Sequence, residues 1–250
     1  MSPDLNRGLA AMETKMNVTQ TVIAIPNHVA IVPNGNRRGS VLARIPLVQA
    51  YRKGAERALD IARCAQELGV QHMTFFGLAI QNKQNRPGYQ IDALIEGAIH
   101  FCDRAMELGY ALHPFGYIDE FEGVEKYKPL YVRLKRLREE YQPSSRFTIH
   151  VAANYSGVAK YELEPLMESL YCRGFSDVRP DPMRYVLSGG VPDVDLFIRT
   201  GGERRISGLL PFQCNYAELY FTDVLWSDFT VQEFHMALEW FASQQRNFGK

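Results

Sequence analysis

The sequence lacks three features that would point quickly to a class of function: net charge, metal-type cysteine spacing and long apolar runs. Its 28 lysines and arginines balance 28 aspartates and glutamates, so no overall basic field predicts a nucleic-acid partner. No segment predicts a signal peptide or a transmembrane helix. The cysteines show no CxxC spacing, and we expect reduced thiols in a cytoplasmic protein. They are Cys64, Cys102, Cys172 and Cys214.

The composition predicts one folded domain. A chain of 250 residues with 46% hydrophobic content can bury a single substantial core, and no long linker divides it. Residues 1–20 are polar, with scattered methionines, and we expect a flexible N-terminal extension. Residues 21–250 are then the single domain.

Apolar runs and helical periodicity alternate along the chain, which predicts an α/β fold with a mostly parallel central sheet flanked by helices. The predicted strands are 28–33, 70–79, 111–116, 146–153, 194–198 and 218–221. The predicted helices are 47–68, 90–108, 124–141, 158–171 and 230–247. Ligands of such folds bind at the carboxyl ends of the strands.

The segment from Asp195 to Trp226 places arginines, glycines and one glutamate between two short apolar runs. The charged and small residues are Arg199, Gly201, Gly202, Arg204, Arg205 and Glu218. Guanidinium groups match phosphate oxygens, glycines let backbone amides approach an anion, and a carboxylate can hold a magnesium ion. The arginines alone would suit a surface turn, but the combination predicts a diphosphate site.

This segment resembles the C-terminal signature of the cis-prenyltransferases, the undecaprenyl diphosphate synthase family. Ile198 to Ser207 and Ala217 to Phe229 follow the family patterns IRTGGE-x-RIS and AELYFTDVLWPDF, with Ser227 in place of proline. The resemblance implies the cis-prenyltransferase fold, isoprenoid diphosphate substrates, Mg²⁺ as cofactor and a homodimer. In the family, the positions of Arg199, Arg205 and Ser207 bind the diphosphate of the isopentenyl acceptor, and that of Glu218 binds the metal.

The C-terminal end also resembles the family. Its members carry an Arg-x-Phe-Gly element that reaches toward the partner's site, and Arg246, Phe248 and Gly249 match it.

The first motif departs from the family pattern. His28 to Ser40 reads HVAIVPNGNRRGS where the family usually shows HVAI-x-MDGNGRWA. Asn34 stands at the position of the catalytic aspartate that binds magnesium, so we expect weaker metal binding there, because hard cations favour carboxylates. Arg37 replaces a glycine, and we hypothesise that its charge takes over part of the metal's role.

The matching residues of this motif are Gly35, Asn36 and Arg38. We expect Gly35, Arg37 and Arg38 to bind the allylic diphosphate, and Asn34, Asn36 and Arg38 to act in catalysis. A Gly-containing basic loop between a strand and a helix suits this role, because amides at a helix start attract anions.

Two further segments are altered. Gly77 to Pro87 reads GLAIQNKQNRP where the family reads YAFSSENWNRP, so Arg86 is kept as a substrate-binding residue. Ile80, Asn82 and Lys83 replace a serine, an acid and an amide implicated in proton removal. We therefore expect Asn82 to act in an altered catalytic step, with the ammonium of Lys83 added.

On the helix after the first motif, Leu47 and Tyr51 replace an arginine and a histidine that the family offers to the allylic diphosphate. Arg44 and Arg52 are possible substitutes. In the family, the helix that corresponds to the predicted helix 90–108 lines the tunnel for the growing chain. Phe101 and Met106 of this helix could therefore limit product length.

We therefore predict a prenyltransferase that joins an allylic prenyl diphosphate to a second isoprenoid diphosphate or an unusual acceptor, with a short or irregular product. The alternatives are a terpene cyclase or diphosphate-releasing variant, and a noncatalytic subunit of a heteromeric prenyltransferase. His28 could orient the phosphate loop or serve the structure. Four other histidines show no shared spacing and are interpreted as surface or core residues: His100, His113, His150 and His235.

Overall fold

The computed structural model describes residues 24–143 and 146–246, so the predicted extension over residues 1–20 lies outside the described residues. Its central sheet has six strands, all paired in parallel. The strands are β1 (His28–Val32), β2 (His72–Ala79), β3 (Ala111–Phe115), β4 (Thr148–Tyr155), β5 (Leu196–Arg199) and β6 (Glu218–Phe221). Their order across the sheet is β3-β4-β2-β1-β5-β6, which confirms the predicted α/β class.

Helices connect the strands. They are α1 (Asn36–Ala43), α2 (Leu47–Glu67), α3 (Ile80–Asn85), α4 (Gly88–Glu107), α5 (Lys128–Glu140), α6 (Ala159–Glu162), α7 (Glu164–Arg173), α8 (Phe175–Val178) and α9 (Val231–Ser243). Short 3₁₀ turns cover Ile118–Phe121, Pro182–Tyr185 and Trp226–Asp228. The predicted helix 158–171 is divided in two at Leu163, because Pro165 in the first turn of α7 has no amide hydrogen to continue the ladder.

The sheet separates two apolar cores, since successive side chains of a strand point to opposite faces. Val29 and Ile31 of β1 join the larger core with α2, α4, α5 and α9. Ala30 and Val32 face the other side, where segments after α8 cover the sheet. Because every strand is parallel, the loops that follow β1, β2 and β5 lie at the same end of the sheet, where the strands terminate. They can therefore form a single site there.

Within the described part of the chain, no helix combines the length and apolar character that a membrane span requires.

Four histidines lie side by side across the sheet, although their sequence spacing gave no sign of it. In the strand register His28 is opposite His72, and His113 is opposite His150. Nδ1 of His72 lies 3.2 Å from Nε2 of His150, and Nδ1 of His113 lies 2.9 Å from Nδ1 of His150. We call this set the histidine row.

His28 closes one end of the histidine row. Its Nε2 lies 2.8 Å from Oγ1 of Thr74, and its Nδ1 lies 2.9 Å from the carbonyl oxygen of Pro192. The side chain is fully buried at the first residue of β1, whereas the loop after β1 begins at the other end of the strand. His28 therefore has a structural role and does not orient the phosphate loop.

Burial keeps the histidine row neutral. Loss of solvation lowers the pKa of His28 and of His113 to about 4. The same cause lowers the pKa of His150 well below its usual value, and neighbouring imidazoles add to the effect. Burial also lowers the pKa of His72.

We predict that acid destabilises this fold through the histidine row. An unfolded histidine has a pKa of about 6.5, so between roughly pH 6.5 and 4 the unfolded chain binds more protons than the folded one. The contribution of the histidines to the free energy of unfolding is therefore complete above that range and decreases as the pH is lowered through it. His28 alone accounts for about 3 kcal/mol of this contribution.

The measurement is urea unfolding from pH 7 to pH 4.5 for the wild type and His150→Gln. The variant should show a shallower dependence of unfolding free energy on pH, whatever its stability at pH 7. His235→Gln, at an exposed position, should keep the wild-type slope. Equal slopes for the wild type and His150→Gln would contradict the prediction.

Candidate functional site

A cavity of about 1720 Å³ opens at the carboxyl edge of the sheet and runs between β2, β4 and the helices α2, α4 and α5. It exceeds the roughly 300–1,000 Å³ that is usual for a small-molecule pocket. Its polar end is formed by residues 33–38, which follow β1, and by residues 199–207. Its apolar end is lined by Phe75, Leu94, Phe101, Leu134 and Val151. One space thus offers both anion contacts and an apolar channel.

All but one of the predicted site residues line this cavity. The lining ones are Asn34, Gly35, Asn36, Arg37, Arg38, Asn82, Arg86, Arg199, Arg205 and Ser207. The exception is Glu218.

The loops after β1 and β5 are tied together through backbone groups of Asn34. Its amide donates to Oγ1 of Thr200 (2.9 Å), and the Thr200 hydroxyl donates to the Asn34 carbonyl (2.7 Å). The amide of Trp226 donates to the same carbonyl (2.9 Å). Because β1 and β5 are neighbours in the sheet, these bonds fix the two halves of the polar end relative to each other.

Two glycines make this close approach possible. Gly35 has φ 126°, and a Cβ there would lie 2.9 Å from the amide nitrogen of Trp226. Gly201 has φ 82°, and a Cβ there would lie 2.6 Å from Nη2 of Arg38 and 2.9 Å from the carbonyl oxygen of Asn34. A side chain at either position would combine backbone strain with a clash.

The segment after Gly35 is a helix, where a basic loop was predicted. Helix α1 starts at Asn36, and Gly35 offers no side chain to cap it. The amides of the first turn therefore have no partner within the helix, and such amides bind anions. The signal for a helix was weak, since Gly39 lies inside it and glycine disfavours helix.

Arg37 and Arg38 follow this helix start. Nη2 of Arg38 donates to the carbonyl of Gly201 (2.5 Å), which joins α1 to the loop after β5. Nη1 of Arg37 donates to Oε1 of Gln90 at the start of α4 (2.9 Å), and both residues line the cavity. Gln90 was not predicted as a site residue, because only the tertiary fold brings it opposite Arg37.

Arg86 is positioned by Tyr51. Nη1 of Arg86 donates to the hydroxyl of Tyr51 (3.2 Å), and both line the cavity. Tyr51 thus occupies the position of the family histidine and holds Arg86, a predicted substrate-binding residue. The proposed substitutes do not enter the site: Arg52 pairs with Glu96 at 3.0 Å, and Arg44 is not among the lining residues. That expectation was wrong, because Arg52 leaves α2 toward Glu96 and Arg44 follows the end of α1, outside the cavity.

Arg199 is almost completely buried, with 5% of its surface exposed. Its Nη1 donates to the carbonyl of Arg205 (2.8 Å) and to the hydroxyl of Ser207. Burial, followed by the charge of Arg205, lowers the pKa of Arg199. Its Nε finds no partner among the described residues. Such a buried cation with neutral partners is suited to receive an anion.

Glu203, which also lines the cavity, forms an ion pair with Arg205. Arg204, between them, is exposed and is not among the lining residues. Of the described residues that line the cavity, Glu203 is the one carboxylate.

Helix α3 turns its side chains differently from the expectation. Asn82 lines the cavity together with Gln81 and Asn85. Lys83 points away and pairs with Glu120 (2.7 Å). The prediction that the Lys83 ammonium joins the reacting centre is therefore wrong, because this side chain is directed to Glu120 and is not among the lining residues.

Glu218 is not brought to Asn34 within one protomer. It is the first residue of β6, opposite Leu196, while Arg199 at the polar end is opposite Phe221. Glu218 and Phe221 are three residues apart along the strand, a distance of about 10 Å, whereas Mg²⁺ binds its ligands at about 2.1 Å. Nε of Arg246 lies 4.0 Å from the Glu218 carboxylate. The predicted magnesium pair of Asn34 and Glu218 is therefore not formed in the protomer.

Cys102 also lines the cavity, toward the apolar end. Burial raises the pKa of its thiol to about 12, so it is protonated at neutral pH and is a poor nucleophile.

Comparisons with known proteins agree with this architecture. A family model described as "Putative undecaprenyl diphosphate synthase" matches residues 32–249. The isoprenyl transferase of Aquifex pyrophilus is 33% identical over 242 residues, covering 91% of this chain and 97% of the relative. The ditrans,polycis-undecaprenyl-diphosphate synthase ((2E,6E)-farnesyl-diphosphate specific) of Pseudomonas putida is 32% identical, covering 91% of this chain and 92% of the relative.

Among solved structures, lavandulyl diphosphate synthase from Lavandula x intermedia, in complex with dimethylallyl diphosphate, has the same fold. The TM-score is 0.75 at 22% identity, over 90% of this chain and 99% of that one. The matched range contains both arginine-bearing loops and the whole described cavity. The chain therefore belongs to the undecaprenyl diphosphate synthase family, the cis-prenyltransferases.

Proposed function

We propose that this protein transfers the prenyl group of an allylic diphosphate to a second isoprenoid diphosphate and forms a short or irregularly linked product. The observation that carries the proposal is the single cavity with two adjoining sets of arginines at its polar end and an apolar channel behind them. The two sets suit two diphosphates, and the channel suits isoprenoid chains, which are apolar and exclude water.

The allylic diphosphate is assigned to the start of α1. There the unpaired helix amides and the guanidinium groups of Arg37, Arg38 and Arg86 surround one region of the cavity. The second diphosphate is assigned to Arg199, Arg205 and Ser207, which are held by mutual hydrogen bonds. The contacts of Arg38 and Thr200 keep the two regions adjacent, and proximity of two substrates is a large part of catalysis.

The proposed reaction depends on the positive charge that surrounds the leaving diphosphate. The bond between C1 and the diphosphate oxygen breaks, and the diphosphate leaves with the electron pair into the guanidinium groups, which stabilise its developing charge. The double bond of the second isoprenoid attacks C1, and the resulting carbocation loses a proton. We assign that proton to the released diphosphate, because Glu203, the one carboxylate among the described lining residues, is engaged by Arg205.

The proposed substrates are allylic diphosphates of five to fifteen carbons. Support comes from the names of similar proteins: the Pseudomonas putida relative is farnesyl-diphosphate specific, and the lavender synthase was solved with dimethylallyl diphosphate. An altered linkage is supported by Asn82, because an amide in place of the family acid cannot act as a base.

We also propose that the protein is a homodimer. Strand β6 is an edge of the described sheet and presents exposed Leu219. Exposed apolar side chains also lie on α7 and α8, where Tyr171 is 92% exposed and Phe175 is 66% exposed. Such apolar exposure is typical of an interface.

The proposal predicts a condensation product. Purified protein incubated with dimethylallyl, geranyl or farnesyl diphosphate together with isopentenyl diphosphate should yield a longer prenyl diphosphate, because both anion regions are formed. Dimethylallyl diphosphate alone should yield a product if it also serves as the acceptor. Mass spectrometry after dephosphorylation identifies the chain length and linkage.

The test variant is Arg199→Gln, which removes the buried cation from the acceptor region. Its matched control is Arg204→Gln, which changes an exposed neighbour. The first should lower the rate roughly 100-fold or more, as expected for the loss of one electrostatic contact, and the second should not. A hydrocarbon or alcohol from one substrate would indicate a cyclase instead. Binding of prenyl diphosphates without turnover would indicate a noncatalytic subunit.

Product length should depend on Phe101 and not on Met106. Phe101 lines the apolar end of the cavity, whereas Met106 is not among the lining residues. Phe101→Ala and the milder Phe101→Leu should lengthen the channel and shift the products to longer chains, as read by mass spectrometry.

Met106→Ala, on the same helix, should leave the distribution unchanged. Phe101→Leu also guards against loss of folding, since truncation of a buried phenylalanine to alanine costs about 3–5 kcal/mol. Unchanged products for both Phe101 variants, in folded protein, would contradict the prediction.

A further inference from the structure

The polar end of the cavity carries a large excess of positive charge. Among the described residues, five arginines line it, against the single carboxylate of Glu203. The arginines are Arg37, Arg38, Arg86, Arg199 and Arg205. An allylic diphosphate, which is a multiply charged anion, would meet this excess directly.

Four of the five guanidinium groups have only neutral partners in the described chain. Arg37 donates to the side-chain amide of Gln90 and Arg38 to a backbone carbonyl. Arg86 donates to a tyrosine hydroxyl, and Arg199 donates to a carbonyl and a hydroxyl. Arg205 is the one of the five with a carboxylate partner among residues 24–143 and 146–246. The protein thus holds these groups in place without neutralising them.

The same region is poor in ligands for a divalent cation. Asn34, at the position of the family aspartate, offers a neutral amide oxygen, and Mg²⁺ prefers carboxylates. Glu203 is paired with Arg205, and Glu218 lies at the other end of its strand. Among the described residues, no group of three or more histidine, cysteine or acidic side chains is placed to hold a metal ion. The donor set near Asn34 therefore does not fit a magnesium ion.

Arg37 lies where the positive charge of a metal ion would be needed beside the allylic diphosphate. It is the third residue after Asn34, on the first turn of α1, beside the unpaired amides of the helix start. Its bond to Gln90 joins α1 to α4, and both residues line the cavity, so the guanidinium is held beside the region assigned to the allylic diphosphate. A guanidinium matches two phosphate oxygens at once, as a metal bridging them would.

We propose that this chain binds the allylic diphosphate without a divalent metal ion, and that Arg37, together with Arg38 and Arg86, takes the place of the ion. The proposal rests on the proposed function, because it concerns the same substrate site. It specifies how the site neutralises its ligand. Affinity for the diphosphate then depends on fixed guanidinium groups and is insensitive to chelators.

The test is isothermal titration calorimetry with geranyl S-thiolodiphosphate, an analogue whose leaving group departs slowly, in EDTA and in magnesium chloride. The dissociation constants should differ less than about threefold between the two buffers. Arg37→Gln should weaken binding in EDTA by roughly 10-fold to 100-fold, the usual effect of losing a charged hydrogen bond. Arg37→Lys, which keeps the charge, should recover part of the loss. Arg44→Gln, at the residue that follows the end of α1 and outside the cavity, is the matched control and should bind as the wild type.

The reverse variant, Asn34→Asp, gives an independent readout. The contacts of Asn34 to Thr200 and Trp226 use its backbone, so the fold of the loop should be kept. The new carboxylate should weaken binding in EDTA by repulsion of the diphosphate, and magnesium should restore it. Magnesium dependence would thus appear in the variant and be absent from the wild type.

The outcomes separate the two proposals. Wild-type binding that is lost in EDTA and restored by magnesium would overturn metal-independent binding and leave the proposed function standing. Equal binding by Arg37→Gln and the wild type in EDTA would also overturn it. Absence of binding in both buffers would overturn the proposed function itself.

Discussion

The site depends on one short set of backbone contacts between the loops that follow β1 and β5. The carbonyl of Asn34 accepts hydrogen bonds from Thr200 and Trp226, and glycine at positions 35 and 201 leaves room for that approach. The two loops contribute different groups, since one supplies helix amides and the other a buried guanidinium. The parallel pairing of β1 with β5 places both at one edge of the sheet. The arrangement therefore uses backbone groups for position and leaves side chains for the ligand.

Much of the fold could be predicted because its long elements carry strong local patterns. The helices α2 and α4 and the strands β1 and β6 lie within two residues of the predicted bounds. The short helices α1 and α3 were missed, because glycine in one and the small size of the other gave no periodicity to detect. The order of the strands, and the histidine row that crosses four of them, depend on contacts between distant residues that no local pattern records.

For the site, residue type predicted better than geometry. The arginines predicted for the site line the cavity, and all five that line it belong to the motifs identified in the sequence. They could be selected from the sequence because few side chains suit a phosphate group. The sequence did not predict the position and direction of some side chains in the fold. Lys83 and Glu218 have suitable chemistry, but one leaves its helix on the far face and the other begins its strand instead of ending it. Tyr51 and Gln90 were not assigned roles because their partners, Arg86 and Arg37, are 35 and 53 residues away.

The substitution of asparagine for aspartate changes the physical problem that the site must solve. A carboxylate in this position would repel a diphosphate and would need a cation between them. An amide removes both the repulsion and that need, and an added guanidinium then attracts the ligand without an intermediary. The cost is paid within the protein, since an unneutralised cation such as Arg199 loses solvation when it is buried, and burial accordingly lowers its pKa. Such a site is stabilised when an anion enters it, so folding energy and ligand affinity are coupled through the same arginines.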